Sequence, residues 1–121
     1  MELRSQQDGT VQIVSVHNAR IDAAVAIEFK DAMRQATESG SPTVILDLSE
    51  VDFIDSSGLG AIVASMKHMG QDRSLVLAGL TPTVDKVFRL TRMDSVFGVF
   101  PTLQTALDAH AAYHRTDGAG T

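Results

Sequence analysis

Apolar and polar positions follow two different periods along this chain, and the periods change at well-marked breaks. Glu2 to Gln7 and Thr10 to Val16 read as two strand-like runs, and within the second Val11-Gln12-Ile13-Val14-Ser15-Val16 is more continuously apolar than an exposed strand would be. Asp8-Gly9 between them predicts a tight hairpin, because a type I′ turn needs positive φ at both centres. From about Asp22 to Ser39 the spacing becomes helical. Ala26, Phe29, Met33 and Ala36 form the inner face there, with Val25 and Ala32 flanking. Ile27 points nearly opposite, toward water or a partner. Gly40-Ser41-Pro42 supplies the stop.

Thr43 to Leu48 then reads as a buried, β-branched strand, and Ser74 to Ala78 as another. Between them Leu59, Ile62, Val63, Met66 and Met69 mark a helix that ends near Gly70. Thr81-Pro82 predicts an N-cap with proline at the first helical position. That helix runs to about Thr91 and buries Val84, Val87, Phe88 and Thr91. A short strand at Val96 to Val99 leads through Pro101 to a last helix, with Leu103, Ala106, Leu107 and Ala111 inward. Arg115 to Thr121 is small, polar and glycine-rich, the composition of a frayed tail. A hairpin followed by strand–helix alternation predicts one α/β domain over residues 1–114, with right-handed crossovers and a tail at 115–121.

The stretch Val51 to Gly60 is where chemistry concentrates. Asp55, Ser56 and Ser57 stand where a helix begins, and their side-chain oxygens can accept the unpaired amides of a first turn. Gly58 and Gly60 follow inside that turn, although glycine costs about 1 kcal/mol relative to alanine in a helix. Two such choices read as side chains kept away so that something can approach a serine. The spacing does not choose between Ser56 and Ser57.

The run Asp55-Ser56-Ser57-Gly58-Leu59-Gly60, preceded by Asp47-Leu48 and Phe53-Ile54, resembles the signature of the anti-sigma factor antagonists. These are the stand-alone members of the STAS superfamily, and the resemblance runs from roughly Leu3 to Tyr113. It implies a four- or five-stranded mixed sheet with helices largely on one side. It also implies phosphorylation of Ser56, the first serine of the pair, with Ser57 as an unmodified cap. Asp22, Asp55, Ser57, Gly58, Leu59, Gly60 and Ile27 are then the expected surface for kinase and partner recognition. The implied partners are an anti-sigma factor with serine kinase activity and a serine phosphatase, with no cofactor. Asp22 matches an acidic position of the family and Asp47 an Asp-or-Asn position. Either could orient the serine or help a kinase place its nucleotide. Asp22 is equally a good N-cap, and for Asp47 the bonding of turn amides is the preferred reading. Many members carry glycine where this chain has Ala19.

Composition narrows the field. The chain has 121 residues, 44% hydrophobic and 21% charged, enough for one core. A net charge of -5 argues against a nucleic-acid backbone as direct partner. The absence of cysteine removes disulfides, zinc–thiolate sites and thiol catalysis. No apolar run is long enough to span a bilayer and no signal-peptide pattern opens the chain, so a cytoplasmic address is expected.

Catalysis finds little support. His17, His68, His110 and His114 are the possible bases for a serine nucleophile. However, the Gly-x-Ser-x-Gly elbow, a phosphate-binding loop and paired metal ligands on one face are all missing. His68 falls on the solvent side of its helix, and His110 on an apolar stripe. The remaining alternative is a STAS scaffold or ligand-binding subunit of a transport, sensor or lipid-trafficking complex, without a phosphoswitch. An exposed Ile27 fits either reading.

Overall fold

The computed structural model describes residues 1–110, so the readings for Ala111, His114 and 115–121 lie outside the described residues. In chain order the strands are β1 (Leu3–Asp8), β2 (Val11–Val16), β3 (Arg20–Ile21), β4 (Thr43–Asp47), β5 (Phe53–Ile54), β6 (Ser74–Ala78) and β7 (Gly98–Phe100). The helices are α1 (Ala26–Ala36), α2 (Ser56–Met69), α3 (Pro82–Leu90) and α4, which runs from residue 103 to the last described residue, 110. Five strands form a mixed sheet in the order β1-β2-β4-β6-β7. The β1–β2 pair is antiparallel and every later pair parallel.

Strand alternation assigns the two faces of the sheet. Val14, Val16, Val44, Leu46, Leu75 and Leu77 point to the side covered by α1, α2 and α3, where Phe29, Met33, Ile62, Val84 and Phe88 complete the main core. Val11, Ile45, Val76 and Ala78 point the other way, against Ala106, Leu103 and Leu107 of α4. Helices therefore lie largely on one side, as expected, and α4 alone covers the other among the described residues.

Several expectations move by a few residues for identifiable reasons. The hairpin pairs Asp8 with Val11, so its two-residue loop is Gly9-Thr10 rather than Asp8-Gly9. Only the first centre, Gly9 at φ +63°, is left-handed, which fits the needs of a type II′ turn and not type I′. Helix α1 begins at Ala26 rather than Asp22, because residues 22–25 are held in a turn. Thr91 is exposed, since α3 stops at Leu90. The last strand sits at Gly98–Phe100 instead of Val96 to Val99, leaving Val96 exposed while Phe97 is buried against Phe88. Ala19 lacks the positive φ that would demand glycine; its carbonyl accepts the amides of Asp52 (2.7 Å) and Phe53 (3.2 Å).

Candidate functional site

Two short strands that the periodicity could not reveal build the platform for the serines. Arg20–Ile21 pairs in parallel with Phe53–Ile54, and Ile21 and Ile54 turn into the core. This small ladder brings Asp22 alongside Asp55 at the end of β5. Asp55 then leaves the strand in extended geometry (φ -103°, ψ -175°) and caps α2. Its Oδ1 accepts the Gly58 amide at 2.9 Å, and its Oδ2 accepts the Ala23 amide at 3.1 Å. One carboxylate thus closes a helix start and ties it to the segment before α1. The Gly58 amide is the main reason that the Asp55 pKa lies below the usual aspartate value. The Ala23, Ser57 and Asp55 amides add to it, against a partial desolvation that works in the opposite direction.

Ser56 and Ser57 occupy the first two positions of α2 and both are exposed. The cap expected of Ser57 is supplied by Asp55 instead, since the extended residue before the helix is the one whose oxygen can reach the third amide. Leu59 is half-buried and Gly60 is exposed, with nothing within 4 Å of the place where a Cβ would stand.

Gly58 overturns part of the reading of the two glycines. It is buried, and a Cβ there would lie 1.9 Å from the Ile21 carbonyl oxygen. The close approach at this position is made by the chain's own backbone, not by an incoming partner. The same packing rotates the buried face of α2 onto Gly58, Ala61, Ile62, Ser65 and Met69, leaving Leu59, Val63 and Met66 at its flanks.

The acidic residues separate into two groups. Asp22 is drawn to the site but does not cap α1, whose N-cap is Val25 with no side-chain bond. Its Oδ1 accepts the Ala24 amide and its carbonyl the Val25 amide, which holds the turn. Its Oδ2 lies 3.1 Å from Nε of Arg20. Asp47 accepts the Ser49 amide at 3.0 Å, the turn-bonding role preferred for it, and sits against Gly79 at the start of the β6–α3 connection.

Arg20 carries no periodic signal in the sequence. Its guanidinium lies 4.2 Å from the Phe53 ring centroid and beside Asp22, so a cation flanks the serine platform. A two-residue strand is too short to show a period, and the only available signal was the polar Arg20 next to an apolar Ile21. Glu50 is equally silent in the sequence; its carboxylate lies 2.8 Å from Nδ1 of His17. That contact commits His17 to a neighbouring loop. His68 is exposed late on α2, and His110 packs edge-on against Phe100 at 5.9 Å. These positions do not place a histidine at Ser56. No group of three or more potential metal-binding side chains occurs among the described residues, and no described helix is long and apolar enough to cross a membrane.

The sequence matches the family described as STAS domain over residues 2–106. An anti-sigma-B factor antagonist of Listeria monocytogenes is 32% identical over 80 residues, which is 65% of this chain and 70% of that protein. The solved structure of an anti-sigma factor antagonist from Mycobacterium paratuberculosis superposes with a TM-score of 0.80 at 28% identity, covering 89% of this chain and 92% of that one. The Bacillus cell fate determinant SpoIIAA in its phosphorylated form aligns with a TM-score of 0.64 at 19% identity, over 89% of this chain and 98% of that one, a likeness of fold alone.

Proposed function

The chain belongs to the STAS domain family, and from that premise we propose that it is an anti-sigma factor antagonist switched by phosphorylation of Ser56. The reading rests on one observation above the others. Ser56 is exposed at the first turn of a 14-residue helix whose capping is already done by Asp55, so its hydroxyl is free for modification. The unphosphorylated chain binds an anti-sigma factor and so releases a sigma factor. The anti-sigma factor's own serine kinase activity esterifies Ser56 and ends the association, and a serine phosphatase reverses it. The chain itself is the kinase's substrate and carries out no catalysis.

The physical chemistry supports a change at the surface and not in the core. A phosphoserine adds about -1.5 to -2 charges and three acceptor oxygens. At a helix start the free amides and the dipole favour an anion by about 0.3–1 kcal/mol, so the domain tolerates the group. The carboxylate of Asp55 opposes it, but that charge is already turned onto the Gly58 and Ala23 amides, and Asp22 is partly offset by Arg20. A partner surface that docks over Ser56 without cations facing it meets the added charge uncompensated. Like-charge juxtaposition across an interface costs several kcal/mol, and about 2.8 kcal/mol weakens binding a hundredfold.

The test is a mass measurement after incubation with the cognate kinase and ATP. The wild type should gain one phosphate and Ser56→Ala none. An unmodified wild type would return the chain to the scaffold or ligand-binding reading. Ser56→Asp should fold normally and bind the anti-sigma factor at least tenfold more weakly; equal affinity would remove charge repulsion as the mechanism.

A further inference from the structure

Away from Ser56, α1 and α2 leave a groove of about 390 Å³ between them, within the usual range for small-ligand sites. The groove is open because α2 turns Ala64 and Ser65 toward α1 at its centre, side chains too small to fill the space opposite Met33 and Ile27. Met33 is buried, while Ile27 stands at the groove with 71% of its surface exposed. The two hydroxyls nearby are spent internally: Ser65 Oγ donates to the Ala61 carbonyl at 2.9 Å and Thr37 Oγ1 to that of Met33 at 2.8 Å. The floor therefore behaves as apolar surface.

The rim has the opposite character. Ile27, Lys30, Asp31 and Arg34 fall at helical spacing on one stripe of α1, and His68 faces them from α2. Asp31 is paired with Arg34 at 3.1 Å, which leaves Lys30 and His68 as the basic groups of this rim without an ion pair among the described residues. A basic rim over an apolar floor stands out on a chain whose net charge is -5. Another cleft, beside α3 and β7, differs in this respect, because its cation Arg89 is held by Asp85 at 2.8 Å.

We propose that the α1–α2 groove is a binding site for a small amphipathic organic anion. Its apolar body lies between Ile27 and Ala64 over Met33, and its acid group is held by Lys30 with His68. Ala64 to His68 stand about 12–18 Å along the helix from Ser56 at ~1.5 Å per residue, so this site is separate from the serine. It does not depend on phosphorylation, and the unmodified chain suffices to test it.

The experiment is an amide-resolved NMR titration of the isotopically labelled full chain with octanoate, with octan-1-ol and inorganic phosphate as controls for tail and charge. Octanoate should give saturable shifts confined to residues 27–37 and 64–68, with each control at least fivefold weaker. Lys30→Glu, at an exposed helix position, should weaken octanoate at least fivefold, and Ala64→Trp should fill the groove and abolish binding. Should Ala64→Trp fail to fold, Lys30→Glu and the two controls still decide the matter. The proposal is overturned by no saturation, by shifts elsewhere, by octan-1-ol matching octanoate, or by an unaffected Lys30→Glu. Concentration-dependent broadening over the groove without octanoate would assign this face to self-association instead, and would also overturn it.

Discussion

Helices α2 and α3 both set out from strands of this fold, yet their first turns use polar side chains in opposite ways. At α3, Thr81 sits at the N-cap in extended geometry, but its Oγ1 donates to the Val51 carbonyl at 2.8 Å and makes no cap bond. Pro82 follows at the first helical position, where a missing N–H is harmless. That start is closed: the hydroxyl stitches α3 to the connection leading into Asp55. At α2 a carboxylate does both the capping and the stitching, and two hydroxyls are left facing solvent. Capping and the ties between segments therefore account for Thr81-Pro82 and for Asp55, but neither requires the serine pair. The contrast separates residues that hold the site from residues that the site presents.

The sharpest way to break this division is at Gly58. Alanine there places a Cβ 1.9 Å from a backbone oxygen that cannot swing aside as a side-chain tip would. Overpacking usually costs about 1–3 kcal/mol, and this contact belongs at or above the top of that range. Gly58→Ala should show it as a large fall in urea midpoint. Unchanged stability would mean that α2 is free to slide on β3, and that its first turn is not held rigidly.

Asp55→Ala comes next. Loss of the cap and of the Ala23 tie should lower the urea midpoint at pH 7. The sign with pH follows from the lowered pKa of Asp55. Its carboxylate contributes full stabilisation above the unfolded aspartate value of about 4, and that contribution fades as the pH falls through the lower folded value. The gap between wild type and Asp55→Ala should accordingly narrow in acid. A gap that stays constant from pH 7 to pH 3 would show that the carboxylate charge is not what stabilises the turn.

A smaller effect is expected from the paired variants Thr81→Val and Ser56→Ala. Thr81→Val removes a side-chain hydrogen bond worth about 1 kcal/mol and should leave partner affinity untouched. Ser56→Ala should alter stability by no more than about 0.5 kcal/mol, as for other exposed positions, while blocking modification. If Ser56→Ala were the more destabilising of the two, the serine would be part of the scaffold and the distinction drawn between the two helix starts would collapse.

Legibility in the sequence followed the length of each element. Strands β2, β4 and β6 were readable because five or six residues show their burial directly, and β6 is found at the predicted bounds. The α1 face was readable from Ala26, Phe29 and Met33, although its start was not, because Asp22 spends its oxygens on a turn that resembles a cap in sequence. The two-residue strands β3 and β5 left no periodic trace, so the ladder that carries Arg20, Asp22 and Asp55 to one place was invisible. The serines could be located, but the reason for Gly58 could not. Glycine kept bare for a partner and glycine kept bare for the neighbouring backbone look the same in one dimension. The distinction needs the position of the Ile21 carbonyl.

Gly60 supplies the gentlest test, and the most informative about access. No heavy atom lies within 4 Å of a Cβ placed there, and its backbone has no left-handed φ that would strain a side chain. Gly60→Ala should therefore stabilise the domain by about 0.4–1 kcal/mol through the lower entropy of the unfolded chain. If α2 presents its first turn to a kinase or an anti-sigma factor, one added methyl on that exposed surface should slow phosphorylation or weaken binding while stability rises. Opposite signs in the two measurements would identify Gly60 as a glycine retained for contact, in contrast to Gly58. A rise in stability with both activities intact would mean that neither glycine of the motif is retained for access.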